Sequence, residues 1–574
     1  MKLSLLYSAL TAVISLSAFG QSPAAPILSP SMNLVEHNEV FQHTQPVPTA
    51  DDFLDFREET IYFVFLDRFS DGDASNNEGN DPTTYDPNDF RKYNGGDIRG
   101  LIDKMPYLKE LGITAIWITP PIDNADFLSG STAAYHGYWG KDYFRVDEHL
   151  GTEADLRELA ALAHSPEYDM KLVLDFAPNH SNANDENEFG LLLRDGVFQT
   201  DYSTDVSSGT NWYHHNGGIT DWENEFQVRN HNLFNLSDFD QDNLDTYNYL
   251  MDATKHWIDV GFDAVRIDAI KHMDKAYIQS WTNEIYEYAE LVGREGFYFF
   301  GEWFGASAWT TTGLDGQAID YANTSGSALL DFGFKDVMQR VLTGNHPNDM
   351  TSINAYLEDR EDVFTSDDWQ VVFLDNHDAA RISTVLRSSA ANFGPSNNES
   401  GGAMSVAEAQ DRMNLGLVIT MTVRGIPAIY YGTEHYAANF EVNDFGQIGS
   451  DPYNREMMPS FDISTSEAAD IIKSLAALRK TSPAIQEGSY TQRWINADIL
   501  VYEREFEGEV VTVAVNRGTT AGIDVVGLAI ADGTYTSLVG TDTVTVTGGA
   551  ATFNLDTNEA IVLHQPAPIT PLVQ

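Results

Sequence analysis

The sequence predicts an α/β protein: a (β/α)8 barrel with an irregular domain inserted after its third strand and an antiparallel β-sandwich at its C-terminal end. Three observations carry this. Apolar runs of strand length, rich in β-branched and aromatic residues, recur along the chain and each gives way to polar, Gly- or Pro-containing sequence. Helix-length amphipathic patterns separate several of them, the arrangement of a parallel sheet covered on both faces. At least seven such runs are present, which favours a closed eight-stranded barrel over an open sheet.

In order, the runs are "TIYFVFLDRF", "LKELGITAIWITP" with a turn at Gly112, "MKLVLDFAPNH", "GFDAVRIDAI", "GFYFFGEW", "WQVVFLDNHD" and "RGIPAIYYGTE". "TEADLRELAALAH" and "NYLMDATKHWIDV" are the clearest helical patterns between them. The barrel is assigned to 51–180 and 250–475, and the insertion to 181–249. The insertion contains "NWYHHNGGITDWENEF", which is aromatic, Gly-rich and without helical period, and it is too long for a bare loop in a compact domain. Beyond the helix-like "SLAALRK", the short alternating runs "DILVYEREF", "EVVTVAVNRG" and "GAATFNLD" predict a sandwich over 476–574.

The first 20 residues combine Lys2, an apolar run from Leu3 to Leu16, and Ala18 and Gly20 at the small-residue spacing of a cleavage site. That pattern reads as a signal peptide for a secreted or periplasmic protein, and no second apolar stretch suggests a membrane span. Residues 21–50 are Pro-rich and read as an extension. Cysteine is absent, so disulfides and thiolate chemistry are excluded. With 86 acidic against 33 basic side chains the net charge is -53, which repels nucleic-acid phosphates but is compatible with neutral sugars and bound cations. A monomer is expected.

Charged residues fall repeatedly at the C-terminal ends of the runs: Asp175, Asn179 and His180; Arg266 and Asp268; Glu302; then Asn376, His377 and Asp378. In a barrel those ends converge on one mouth, where active sites are built. Carboxylates gathered there suggest glycosidic chemistry, in which one attacks or supports the sugar carbon and another protonates the departing oxygen. Arg266 and Asp268, two apart in a strand, share a face, so Arg266 can supply the charge-assisted hydrogen bonds that suit a nucleophilic carboxylate. Glu302 ends an aromatic run whose surroundings oppose ionisation, as a general acid requires. Asp378 is read as a third carboxylate gripping sugar hydroxyls, with His180 and His377 as donors to the same ring, although either histidine alone is more often structural. "SDGDASNN" clusters the oxygen donors Asp71, Asp73, Asn76 and Asn77, which suits calcium; a solvated turn is the alternative.

"DFAPNH", "GFDAVRIDAIKH", "GEWF" and "FLDNHD", followed by "GIPAIYYGTE" and "DPYNREMM", stand in the order of the signature segments of the α-amylase superfamily of glycoside hydrolases, family 13. From about residue 60 to about residue 515 the chain resembles that family, and within it the cyclodextrin glucanotransferase and maltogenic amylase branch. The resemblance implies Asp268 as nucleophile, Glu302 as acid and base, and Asp378 as transition-state stabiliser. It adds Arg266, His180 and His377 as supports, Tyr135 with His136 as a platform beside the cleaved sugar, Asp451 and Arg455 on the donor side, and Lys271 as substrate support. Trp222, Phe234 and Phe304 match aromatic positions that guide a glucan or receive it as acceptor. Two calcium ions are implied: one on the Asp71 cluster with Gly95 and Asp97, the other on Asn179, Asp238 and the backbone carbonyls near Arg229 and His272.

The implied activity is a secreted, retaining, endo-acting hydrolase of α-1,4-glucosidic bonds in starch and maltodextrins, with accompanying transglycosylation. Cyclodextrin glucanotransferase is the alternative, ranked second because the sequence ends at Gln574 where that branch continues into further domains. A non-catalytic glucan-binding protein is the reading of another class, and the presence of all three carboxylates weighs against it.

Overall fold

The computed structural model describes residues 54–183, 188–305, 313–344, 348–365, 369–390, 392–393 and 401–568. The expected signal peptide and Pro-rich extension lie outside the described residues. Eight parallel strands form the barrel: β1 (Ile61–Val64), β2 (Ala115–Ile118), β3 (Lys171–Phe176), β4 (Ala264–Ile267), β5 (Tyr298–Gly301), β6 (Ala328–Leu329), β7 (Val371–Phe373) and β8 (Ile426–Tyr430). Their order is β6-β5-β4-β3-β2-β1-β8-β7, and a parallel bridge from Leu330 to Val371 joins the two ends into a closed ring.

Local chemistry explains where the elements start and stop. Helix Met105–Leu111 ends at Gly112, whose φ of 85° is the left-handed conformation that a side chain would resist, and the chain then enters β2. Helix Glu153–Ala163 starts from a reciprocal capping box between Thr152 and Asp155. Helix Leu244–Val260 is capped by Asn243 and pinned to the neighbouring strand by Trp257, whose indole Nε1 donates to the Tyr143 carbonyl at 2.9 Å. The "TIYFVFLDRF" run is only half strand. Leu66–Phe69 is a buried helical turn that brings Arg68 inside.

The insertion is anchored by two small sheets. Residues His180–Ala183, directly after β3, pair antiparallel with Leu236–Asp238, which brings His180 opposite Asp238. Ile122–Asn124 and Gly140–Val146, from the loop after β2, share a four-stranded sheet with Leu192–Arg194 and Val197–Thr200 of the insertion. The lobe over the mouth is thus built from two loops, and its described helices, Asp205–Ser208 and Glu225–Asn230, are short.

Beyond helix Glu467–Arg479 the chain is antiparallel. β9 (Ser489–Ile495), β10 (Ile499–Phe506) and β11 (Glu509–Asn516) form one sheet with β16 (Glu559–Gln565). Opposed to it are the pairs β12 (Ala521–Val526) with β15 (Ala550–Leu555) and β13 (Gly533–Thr536) with β14 (Thr543–Val546). Val501, Ile523, Val544, Phe553, Ile561 and Leu563 share a buried core between these sheets. Among the described residues no helix is long and apolar enough to cross a membrane.

Candidate active site

β4 places Arg266 at the centre of the mouth. Strand alternation turns it inward, wholly buried, in register with Asp175 of β3 on one side and Phe300 of β5 on the other. Asp268 follows at the strand end, and the left-handed Ala269 (φ 52°) then swings the chain into the single turn Ile270–His272. One guanidinium gathers three carboxylates. Nη1 donates to Asp175 Oδ1 at 2.8 Å and to Asp268 Oδ1 at 2.7 Å, and Nη2 lies 3.0 Å from Glu302 Oε2. The nucleophile and acid candidates are therefore positioned by the same rigid group; the two-residue spacing predicts its pairing with Asp268, and the fold adds the contact to Glu302.

A single buried positive charge does not neutralise this set. Burial pushes the Glu302 carboxyl well above the usual carboxylate range, and Asp378, Asp268 and Asp175 push in the same direction against the attraction of Arg266. Oε1 of Glu302 is buried without a protein hydrogen-bond partner, so one oxygen stays available to carry the proton. Asp175 is pushed up to about 6 by burial, opposed by Arg266. Trp117 Nε1 and the Tyr138 hydroxyl both donate to its Oδ2, at 3.0 and 2.8 Å.

The Asp378 side of the mouth is held by Arg455. Its Nη2 donates to Asp378 Oδ1 and its Nη1 to the Tyr135 hydroxyl, both at 3.1 Å, its Nε donates to the His377 carbonyl at 3.0 Å, and Nη1 pairs with Asp451 at 2.9 Å. Asn454 Nδ2 donates to the carbonyls of His377 and Ala379, fixing the turn that aims Asp378. His377 Nε2 lies 3.1 Å from Asp378 Oδ2, and burial with Arg455 and Arg266 nearby lowers its pKa far enough to keep the ring neutral. His180 and His136 are lowered chiefly by burial as well. Neutral rings of this kind can exchange hydrogen bonds with sugar hydroxyls without adding charge.

A cleft of about 480 Å3 opens beside these groups, lined by Tyr135, His136, Tyr138, Asp451 and Arg455 and reaching Phe234 of the insertion. Trp222 and Phe234 are 44% and 74% exposed with ring centroids 5.6 Å apart, and Trp222 meets His272 edge-on. Phe304 rests against Phe332, and Lys271 is held by Asp315 at 2.8 Å with its ammonium 3.5 Å from the Phe304 carbonyl. Tyr138 is the principal site residue that the sequence reading passes over. It binds Asp175 and stacks on His377 at 5.4 Å, and its place in "AYHGYW" beside Tyr135 is the signal that could have found it.

The predicted cation ligands are also brought together. Asn76 and Asn77 keep their Oδ1 atoms buried without protein partners, and a side chain at Gly95 would lie 2.8 Å from Asn77 Nδ2. Asn77 Nδ2 donates to Asp71 at 2.9 Å. Asp97 differs from a free ligand: its oxygens accept from the backbone N–H groups of Gly72, Asp73 and Gly100, so it shapes the loop that carries Asp73. At the second group, Asn179 and the Asp238 carboxylate are buried together, Asn179 Oδ1 has no protein donor, and one Asp238 oxygen lies 2.7 Å from His214 Nδ1. His272 Nδ1 is 2.8 Å from the Val228 carbonyl, which joins the segments bearing Arg229 and His272. The side chain of Arg229 is engaged by Glu225, Asp274 and Gln317, leaving only its carbonyl for an ion.

Residues 63–473 match the model of the alpha-amylase catalytic domain. The chain is 65% identical to a cyclomaltodextrin glucanotransferase of Klebsiella oxytoca over 89% of its own length and 78% of that protein. It is 37% identical to one of Niallia circulans over 84% of itself but 63% of the relative, so it spans less than two thirds of that protein. Among solved structures, CldA is described as the first cyclomaltodextrin glucanotransferase with a three-domain ABC distribution. It superposes with a TM-score of 0.76 at 35% identity, covering 88% of this chain and 99% of that one. An Anoxybacillus alpha-amylase gives 0.73 at 27% identity, covering 90% and 99%. With the Arg266-centred carboxylates at the barrel mouth and the family model spanning 63–473, the chain belongs to the alpha-amylase family of glycoside hydrolases.

Proposed function

We propose that the protein is a retaining α-1,4-glucan transferase of the cyclodextrin glucanotransferase type, with hydrolysis as the lesser outcome. The observation that carries the chemistry is the single buried guanidinium of Arg266 holding Asp268 and a proton-retaining Glu302 at one mouth. Asp268 attacks the anomeric carbon while Glu302 gives its proton to the departing glycosidic oxygen, leaving a glucosyl ester on Asp268. Esterification removes the Asp268 charge, one of the three that raise the Glu302 pKa. Glu302 therefore becomes easier to ionise at the stage where it must act as a base. It then takes the proton of an incoming hydroxyl, whose oxygen displaces Asp268 and restores the α configuration. Asp378, fixed by Arg455, faces the positive charge that develops on the sugar.

Transfer is favoured over hydrolysis for two reasons. Trp222 and Phe234 offer exposed aromatic faces to an acceptor sugar, which competes with water for the ester. The three-domain CldA, described as a cyclomaltodextrin glucanotransferase and matched over 99% of its length, supports placing transfer ahead of hydrolysis.

Calcium at the two oxygen clusters belongs to this proposal, supported by the buried, unpaired carboxamide oxygens of Asn76, Asn77 and Asn179 and the buried Asp238 carboxylate beside the last. A cation bound at the Asn179–Asp238 cluster would tie the insertion to the ends of β3 and β4 and offset negative charge. Export, resting on the apolar run from Leu3 to Leu16, is likewise proposed.

Chromatography of early products from soluble starch tests the reading. Cyclic α-glucans are expected from the first minutes, and linear malto-oligosaccharides as the main early product would return the assignment to a hydrolase. Proton NMR of freshly released linear products should show the α-anomer, and initial β-anomer would sink the double-displacement scheme.

A further inference from the structure

The loop after β8 carries an aromatic residue that the chemistry above does not use. Val442 and Ile448 bridge antiparallel, and Asp444, Phe445 and Gly446 form the tip between them. Asn443 staples it: Oδ1 accepts from the N–H groups of Phe445 and Gln447 at 3.1 and 2.9 Å, and Nδ2 donates to the Asp451 carbonyl at 2.9 Å. Asp451 pairs with Arg455 at 2.9 Å, and Arg455 with Asp378 at 3.1 Å. The tip is thus wired to the catalytic centre by three consecutive contacts. From a separate segment Arg91 donates to Asp444 at 2.6 Å, which holds the tip from its other side.

None of these contacts needs a phenylalanine, yet Phe445 stands 83% exposed on this ordered support. A single exposed aromatic is ordinary on a protein surface. This one is not scattered: it lines the cleft that also contains Tyr135, Tyr138, Trp139 and Phe234. On a chain with a net charge of -53, the partner such an uncharged face suits is neutral, with apolar patches and hydroxyls at its edge. A pyranose ring has that shape and chemistry.

We infer that Phe445 is a stacking platform for the stretch of α-1,4-glucan that extends past Asp451 away from the catalytic carboxylates, so that it sets how much the enzyme gains from longer chains. This rests on the proposed glucan chemistry and assigns one more specificity-determining residue to the same cleft. Because the ring is exposed, its removal leaves the barrel and the Asn443 staple intact.

The experiment compares kcat/KM of the full chain and of Phe445→Ala and Phe445→Trp on maltotriose, maltopentaose and maltoheptaose. Phe445→Ala should lose about fivefold on maltoheptaose, mostly through KM, and little on maltotriose, while Phe445→Trp restores the longer substrate. A loss equal at all three lengths, or none, overturns the platform while leaving the glucan assignment in place. A wild-type chain inactive on all three overturns the assignment and the platform together.

Discussion

At the scale of the residue, the decisive feature is the imbalance around Arg266. Asp175, Asp268 and Glu302 surround one guanidinium, Asp378 adds a fourth acid with Arg455 beside it, and burial raises the Glu302 carboxyl well above its usual range. Glu302 acts as an acid only when protonated, so activity is expected to fall as pH rises through its elevated pKa. Asp378→Asn removes one of the charges that raises it, and the alkaline limb of kcat/KM should therefore move to lower pH, besides a loss of rate. An unmoved limb would show that another group sets it. Glu302→Gln should lower kcat by about 10²–10⁴-fold, the usual worth of a general acid, with the barrel still folded. Asp268 and Glu302 were legible in the sequence because each directly follows a recognisable strand, and Asp378 because it stands in the turn just beyond one. Tyr138 was not, because its role depends on a loop folding back over β3.

At the scale of the element, short strands hold the ring and buried charges tune it. β6 is only Ala328–Leu329, too brief to leave a periodic signal, and the structure identifies it by its pairing with β5 and its bridge to Val371. Just before β1, Glu59 is fully buried beside the Thr114 hydroxyl, and Lys480 Nζ is 3.8 Å away while also serving Glu58. Burial raises Glu59 from 4.5 to about 8, with Lys480 opposing. The folded state then holds a proton that the unfolded chain releases above pH 4.5, so its stability declines as pH rises through this window to about 8. Glu59→Gln carries no such charge. Between pH 5 and pH 8 it should lose less stability than the wild type, by on the order of 1–3 kcal/mol in urea unfolding. Parallel stability curves for the two proteins would refute this account of Glu59.

At the scale of the molecule, a lobe made from two loops must stay seated over the mouth without disulfides and against a net charge of -53. Calcium binding only the native protein would add stability by mass action, about 2.7 kcal/mol at one hundred times the Kd. Chelation with EDTA is expected to lower Tm and added calcium to restore it. A melting curve unmoved by prolonged chelation would argue against exchangeable ions at either cluster.

The sequence by itself determined the barrel, the insertion after the third strand, the C-terminal sheets and which carboxylates gather at the barrel mouth. Each of these is written in short-range pattern: strand-length apolar runs, helical periods, alternating late strands, and acids at the strand ends. Only the tertiary structure decided which groups share a charge. One buried guanidinium serves three acids, Asp97 spends its oxygens on backbone N–H groups, and Phe445 enters the same cleft as Phe234 from more than two hundred positions away along the chain. The physical reason is that desolvation and Coulomb interaction act through space. They depend on what the fold brings within a few ångströms, and sequence spacing does not encode that distance.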